Sequence, residues 1–269
     1  MDNRADTIRQ KEEALRHSIT SMESMVLGFS GGVDSTLLAY VGTELLKDRC
    51  LCVTVREAYH SQDEFEESVQ LAATLGLRQK VCTLGLVDRD FIRRNPKDRC
   101  YACKREIFSY LESIRAQEGF RYLADGSNVD DLGDYRPGLR ALQELHVRSP
   151  LREAGLTKED IRILSRRYGL PTWNKPAFAC LASRIPYGEE ITPQKLRQVE
   201  EGERILRDLG FVQYRLRHHG DIARIEVATQ ERGRFFDEAL LDQLGERLRQ
   251  VGFRYVTIDV MGYRMGSLN

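Results

Sequence analysis

The chain has 269 residues, of which 41% are hydrophobic, and its basic and acidic side chains number 41 each. That composition supports a packed core in one large domain or two modest ones. The charge balance gives no global field to draw in a polyanion, so a dedicated nucleic-acid binder is not favoured, and no apolar run approaches the ~20 residues of a membrane helix.

Residues 1–20 are charged throughout and carry no apolar signal core, which implies a cytoplasmic protein. Cysteines in that reducing setting read as core residues, metal ligands or reactive thiols rather than disulfides. The apolar spacing over 8–22 predicts an opening amphipathic helix. The run Met25-Val26-Leu27-Gly28-Phe29, stopped by Ser30-Gly31-Gly32, predicts a buried strand leaving into a tight turn. Helices follow over 36–46, 63–75 and 104–116, and strands over 50–55, 79–84 and 122–125. Strands alternating with helices predict a parallel sheet covered on both faces.

The pattern changes after Pro150. A helix over 157–168 opens with Thr157 and Asp160 in capping-box spacing. Residues 169–188, rich in Pro, Gly and small side chains, read as an ordered loop. Beyond Thr192 the predicted order is helix 193–209, strand 212–217, strand 222–227, helix 232–250 and strand 255–260. The two consecutive strands, joined at His219-Gly220-Asp221, read as a hairpin. This is a small α+β unit, so the expected domains are 1–188 and 189–269.

Ser30-Gly31-Gly32-Val33-Asp34-Ser35 leaves a strand and opens a helix. Its glycines let the backbone turn sharply and bring N–H groups close to an anion. The helix N-terminus adds partial positive charge, and Ser30 and Ser35 add hydroxyl donors. Asp34 is the wrong charge to hold phosphate alone, which suggests Mg2+ bridging carboxylate and phosphate. No Lys follows the glycines, so this is not a Walker loop.

This string resembles the pyrophosphate loop of the ATP pyrophosphatases. The resemblance implies that ATP is cleaved between its α and β phosphates to adenylate a substrate oxygen. Further strings narrow it: Asp125-Gly126-Ser127-Asn128-Val129-Asp130-Asp131, running on to Asp134-Tyr135-Arg136-Pro137-Gly138, then Asn174-Lys175-Pro176 and Ala179-Cys180-Leu181-Ala182-Ser183-Arg184-Ile185-Pro186-Tyr187-Gly188. Over nearly the whole chain these resemble the LarE family of ATP-dependent sulfur transferases. The resemblance implies a nucleotide-α-hydrolase-like domain with a smaller α+β domain. It also implies a pyridinium mononucleotide substrate whose two carboxylates become thiocarboxylates through an acyl-adenylate, serving nickel-pincer nucleotide biosynthesis. Relatives assemble into higher oligomers, and a sulfide or persulfide donor is required.

In that family the position of Cys180 bears the transferred sulfur, and in sacrificial members the cysteine gives up its own sulfur. A thiolate is a competent nucleophile toward an adenylate, and Arg184 would lower the thiol pKa or bind phosphate. This sequence departs from a single-cysteine pattern, because Cys100 and Cys103 form a C-x2-C ahead of a helix. Zinc wants four ligands and a second such pair is missing. Three thiolates, Cys100, Cys103 and Cys180, suit a [4Fe-4S] cluster with one open iron, as in some relatives. A cluster-carried sulfur is therefore the favoured reading and sacrificial use of Cys180 the alternative. Cys50, Cys52 and Cys82 read as core.

Arg215, Arg217 and His219 share a strand face that suits a phosphate or carboxylate, or else is simply solvated. Glu200, Glu203 and Glu226 read as surface positions rather than a metal site. Asp125, Asn128, Asp131 and Arg136 fall where an open α/β sheet binds nucleotide, beyond its strand C-termini. The competing readings are a tRNA thiolation enzyme, which should carry a basic surface, a non-catalytic nucleotide-binding regulator, and an amidating synthetase.

Overall fold

The computed structural model describes residues 2–133, 137–176 and 180–264. In chain order the first elements are α1 (Asp2–Met22), β1 (Met25–Gly28), α2 (Val33–Leu46), β2 (Cys50–Arg56), α3 (Gln62–Thr74), β3 (Gln79–Thr83), α4 (Asp90–Arg93) and α5 (Arg99–Gln117). There follow β4 (Tyr122–Ala124), α6 (Pro137–Glu144), α7 (Pro150–Glu153), α8 (Lys158–Arg167), α9 (Pro193–Asp208), β5 (Tyr214–His219), β6 (Ile222–Val227), α10 (Glu238–Val251) and β7 (Tyr255–Ile258). Among the described residues no helix is long and apolar enough to cross a membrane.

The chain divides into two compact units. The first comprises residues 1–57, 62–86 and 98–178, and the second 58–61, 87–97 and 179–269. In the first, a four-stranded parallel sheet has the order β3-β2-β1-β4. The two faces are legible in the alternation of side chains. Met25, Leu27, Cys50 and Cys52 join one apolar cluster with α1, α2 and α8. Val26, Leu51 and Val53 join another with Phe108 and Leu111 of α5. Cys50 and Cys52 are thus core side chains, and Cys82 packs half-buried against the α5 cluster.

The strand order decides where a ligand can sit. From β1 the chain steps outward to β2 and β3, then returns to place β4 on the other side of β1. Loops leaving β1 and β4 therefore part in opposite directions, which opens a crevice beyond their C-terminal ends. Past β4 the sheet is prolonged by a single parallel bridge between Ala124 and Arg148, with Arg148 N–H donating to Leu123 O and Asp125 N–H to Arg148 O, both at 2.9 Å.

The second unit is built on a three-stranded sheet, β5-β6-β7. β5 and β6 form the expected antiparallel hairpin through Gly220, whose φ of +61° suits the tight turn. β7 lies parallel to β6, connected through α10. Leu196, Val199, Leu206, Leu216, Leu244 and Leu248 are buried between α9, α10 and the sheet.

Several elements differ from the periodicity by a few residues, and three differences go further. The helix expected from residue 104 starts at Arg99, so Cys100 and Cys103 lie within its first five residues rather than ahead of it. The helix expected over 232–250 is two elements, a 3-10 stretch at Thr229–Phe236 and α10, because the Asp237 side chain accepts from Leu240 N–H and caps a new helix. The loop over 169–188 contains a 3-10 turn at Leu181–Arg184. The capping box of α8 is formed, with Thr157 Oγ1 accepting from Asp160 N–H and Asp160 Oδ2 from Thr157 N–H.

Candidate active site

The phosphate loop leaves the end of β1. Phe29 N–H donates to Val53 O and Thr54 Oγ1–H to Phe29 O, each at 2.9 Å, so the strand end is fixed before the turn begins. Gly31 then takes φ +69°, and a Cβ there would meet Ser68 at 2.8 Å. Both facts demand glycine. The hydroxyls of Ser30 and Ser35 lie 3.1 Å apart across the turn, and Ser35 Oγ also reaches Gly32 O. No side chain caps α2 at Gly32, so its first N–H groups face outward as anion donors.

The loop after β4 closes the other side. Gly126 lies against the first turn of α2, where a Cβ would come within 3.1 Å of Ser35 N. Asp125 is 4% exposed and accepts from Ser127 Oγ at 2.5 Å and Ser149 Oγ at 2.6 Å, with Lys104 Nζ 3.7 Å away. Its carboxylate organises the crevice floor. Asn128 is buried. Its backbone N–H donates to Asp131, its Oδ1 accepts from Asp130 N–H, and its Nδ2 reaches Asp34 Oδ1 at 3.4 Å. The turn 128–131 therefore spends its polar groups on itself, on the phosphate loop and on residues at the approach to α8, where Asp130 Oδ2 accepts from Lys158 N–H and Val129 N–H donates to Leu156 O. Asp134, Tyr135 and Arg136 lie outside the described residues, as does Ala179.

Two lysines that the sequence reading did not single out flank this loop. Lys158 Nζ is in ion-pair contact with Asp34 Oδ2. Lys175 Nζ lies 2.9 Å from Glu67 and 3.4 Å from Gly31 O. The sequence signal for Lys158 was its place directly after the Thr157 cap, which fixes the direction of a first-turn side chain. The signal for Lys175 was its place in the Asn-Lys-Pro string.

Cys100 is exposed and Cys103 half-buried at the start of α5, three residues apart and so on one helix face. Arg99 Nη2 lies 3.8 Å from Cys100 Sγ. Cys180 belongs to the second unit. It is half-buried where the 3-10 turn begins, and its carbonyl accepts from Arg184 Nη1 at 3.1 Å and from Ser183 N–H at 2.9 Å. Among the described residues no three His, Cys, Asp or Glu side chains converge on one metal position.

Around β5 and β6, Arg184, Arg217 and Arg224 are held by acids. Arg184 is 2% exposed and binds Glu203 through two parallel contacts of 2.8 Å. Gripping a phosphate would require it to leave that fork. Glu226 is fully buried between Arg217 at 2.8 Å and Arg224 at 2.9 Å. Glu226, read from the sequence as a surface position, is instead a buried counter-ion, and Glu203 is a half-buried one, placements that periodicity could not show. Arg215, beside these three, has no such ion pair among the described residues. It lies over the Tyr263 ring, donates to Tyr214 O at 2.6 Å, and its charged form is disfavoured by burial and by Arg184. Burial also pushes His218 and His219 below the usual imidazole range.

A glycine-built cradle at the switch point of a parallel sheet, with an acid at its helix start and no Walker lysine, defines an ATP-dependent enzyme of the PP-loop superfamily. Residues 7–102 match the NAD synthase family model, which covers the loop and its strands. The chain is 38% identical to an uncharacterized protein of Synechocystis sp., covering 97% of this chain and 98% of that one. It is 37% identical to the pyridinium-3,5-bisthiocarboxylic acid mononucleotide synthase of Lactiplantibacillus plantarum, covering 98% and 95%. It is 28% identical to an uncharacterized protein of Methanocaldococcus jannaschii, covering 90% and 91%. The chain belongs to the LarE family.

Proposed function

We propose that this enzyme adenylates the carboxylates of a pyridinium mononucleotide and converts them to thiocarboxylates. The carrying observation is the cradle at the start of α2 with Asp34 at its mouth, in a chain alignable end to end with a synthase of that product. A carboxylate is a poor electrophile until AMP becomes its leaving group. Carboxylate and ATP give acyl-adenylate and pyrophosphate. Hydrosulfide then displaces AMP, leaving thiocarboxylate and a proton. The N–H groups of α2 hold the leaving phosphates, and Ser30 and Ser35 hold the loop in shape.

Asp34 suits Mg2+, since its carboxylate is a hard oxygen donor and already draws a cation, the Lys158 ammonium. The metal, when bound, neutralises charge on the phosphate oxygens. Arg215 serves the anionic end of the acceptor, because it is the arginine of its group without a carboxylate partner among the described residues. Asp34→Ala should abolish pyrophosphate release that depends on added carboxylate nucleotide. Retained turnover would sink the reading.

For the sulfur, Cys100, Cys103 and Cys180 would hold a [4Fe-4S] cluster, which supplies a reusable carrier for sulfide. Two thiols one helix turn apart, Cys100 exposed and Cys103 half-buried, support that donor set. Sacrificial use of Cys180 is the second reading, favoured by the Arg184 guanidinium that donates to its carbonyl and sets a fixed cation beside this residue. Anaerobic reconstitution should give iron, sulfide and a broad visible absorption that any single Cys→Ala change removes. Loss of the mass of hydrogen sulfide from Cys180 during iron-free turnover supports the alternative instead.

A further inference from the structure

The turn that carries Cys180 is gripped at both ends by chain drawn from elsewhere. Residues 58–61 and 87–97 follow β2 and β3 along the chain, yet they pack with the second unit. At the entry to the turn, Leu181 N–H donates to the carbonyl of buried Tyr59 at 2.9 Å. The turn itself closes through Ser183 N–H on Cys180 O at 2.9 Å and Ile185 N–H on Ala182 O at 3.2 Å. At its exit stands Asn95, which is 0% exposed and holds a left-handed backbone with φ +55°. After glycine, asparagine and aspartate adopt that conformation at least cost. Asn95 Nδ2 donates to Ile185 O at 3.1 Å and to Pro186 O at 2.8 Å. Its carbonyl accepts from Gly188 N–H at 2.9 Å, and Arg93 O accepts from Ile191 N–H at 2.8 Å. Ile92, Ile185 and Ile191, in the two stretches so joined, are buried.

We propose that Asn95 is a positioning residue for sulfur transfer, fixing through the backbone of 185–188 where the Cys180 thiol stands. It acts through the turn and not on the reacting atoms. Without its amide, the Ile185 and Pro186 carbonyls lose this donor. A buried carbonyl deprived of its partner favours any loop movement that finds another. Only the 3-10 turn Leu181–Arg184 separates Cys180 from the gripped carbonyl of Ile185, so slack at the exit passes to the thiol at the entry. Displacement there is costly, because reaction slows steeply once the reacting atoms leave near-attack geometry. The role is the same whether Cys180 holds a cluster or gives up its own sulfur.

The proposal rests on the sulfur-transfer part of the function above. Two measurements are therefore paired, one that needs that reading and one that does not. Asn95→Gly keeps the left-handed backbone and deletes the amide, and Asn95→Asp keeps the shape but turns an oxygen toward the two carbonyls. In a single turnover with ATP, Mg2+, sulfide and the pyridinium dicarboxylate mononucleotide, both variants should release pyrophosphate within about twofold of the wild-type rate, while thiocarboxylate formation slows on the order of tenfold. Without substrate, alkylation of Cys180 by iodoacetamide, followed by peptide mass, should quicken on the order of fivefold as the half-buried thiol is released, with Cys50 and Cys52 still protected. A merely structural role would lower the unfolding temperature and, well below it, leave both the product-to-pyrophosphate ratio and Cys180 labelling as in the wild type. That result overturns the proposal, as does equal slowing of adenylation and transfer. Should the Gly variant not fold, the Asp variant is read alone. Wild-type protein that releases no pyrophosphate with this nucleotide overturns the proposed function, and labelling then decides the clasp: a faster rate supports it and an unchanged rate overturns it.

Discussion

The two units handle charge in opposite ways. Around Ser30–Ser35 the first unit uses backbone: glycines, uncapped N–H groups, and a single carboxylate whose lysine partner stays half-exposed. The second unit buries whole guanidinium groups against Glu203 and Glu226, with Arg224 also 3.7 Å from Asp259. A backbone-built site accepts a ligand without breaking an internal bond. A side-chain network in a low-dielectric interior is costly to leave half-made. Residues of the first kind should therefore govern binding, and residues of the second kind folding.

The sharpest break of that contrast is Glu226→Ala, which strands Arg217 and Arg224 without their shared acid. Loss of about 3–5 kcal/mol is expected in urea unfolding. A loss within surface-mutation range would show that the buried network is no more demanding than the exposed pair at Asp34. Gly126→Ala comes next. Its Cβ would press on the backbone of Ser35 at 3.1 Å, where no flexible side chain can yield. A stability cost of about 1–3 kcal/mol is expected, with nucleotide affinity falling further than stability does. Equal losses would blur the division between a binding unit and a packed one.

The smallest effect is on pH. His218 and His219 have folded pKa values below the unfolded value of about 6.5, chiefly through burial. The unfolded chain therefore takes up protons first as pH falls. Stability of the second unit is full above that value and declines on acidification toward the folded values. Replacing both by Gln should flatten the curve between about pH 6.5 and 5, as measured by thermal unfolding across that window. An unchanged slope would remove these imidazoles from the account.

The same contrast explains what could be read without coordinates. The sheet, its order of elements and the phosphate loop were legible because their signals are local: a strand, two glycines and a helix start lie within eleven contiguous residues, Met25 to Ser35. The partners of those residues were not. Lys158 meets Asp34 across 124 positions, and Arg184 meets Glu203 across 19 and through a different element. Spacing and periodicity carry no information about such pairings. Helix starts were also blurred. Arg99 to Cys103 looked like a turn because its apolar positions are few, yet those residues belong to α5.

The single bridge at Arg148 has a consequence for the behaviour of the chain at high concentration. A sheet border normally offers a row of unmet amides onto which another molecule can add. Beyond β4 that row is closed after one residue, and Pro150 follows, with no amide hydrogen to lend. The opposite border, β3, is short and carries Lys80 paired with Glu118. Charge at one margin and proline at the other leave little purchase for fibril-like stacking, so this sheet should stay monodisperse where a longer, barer one would precipitate.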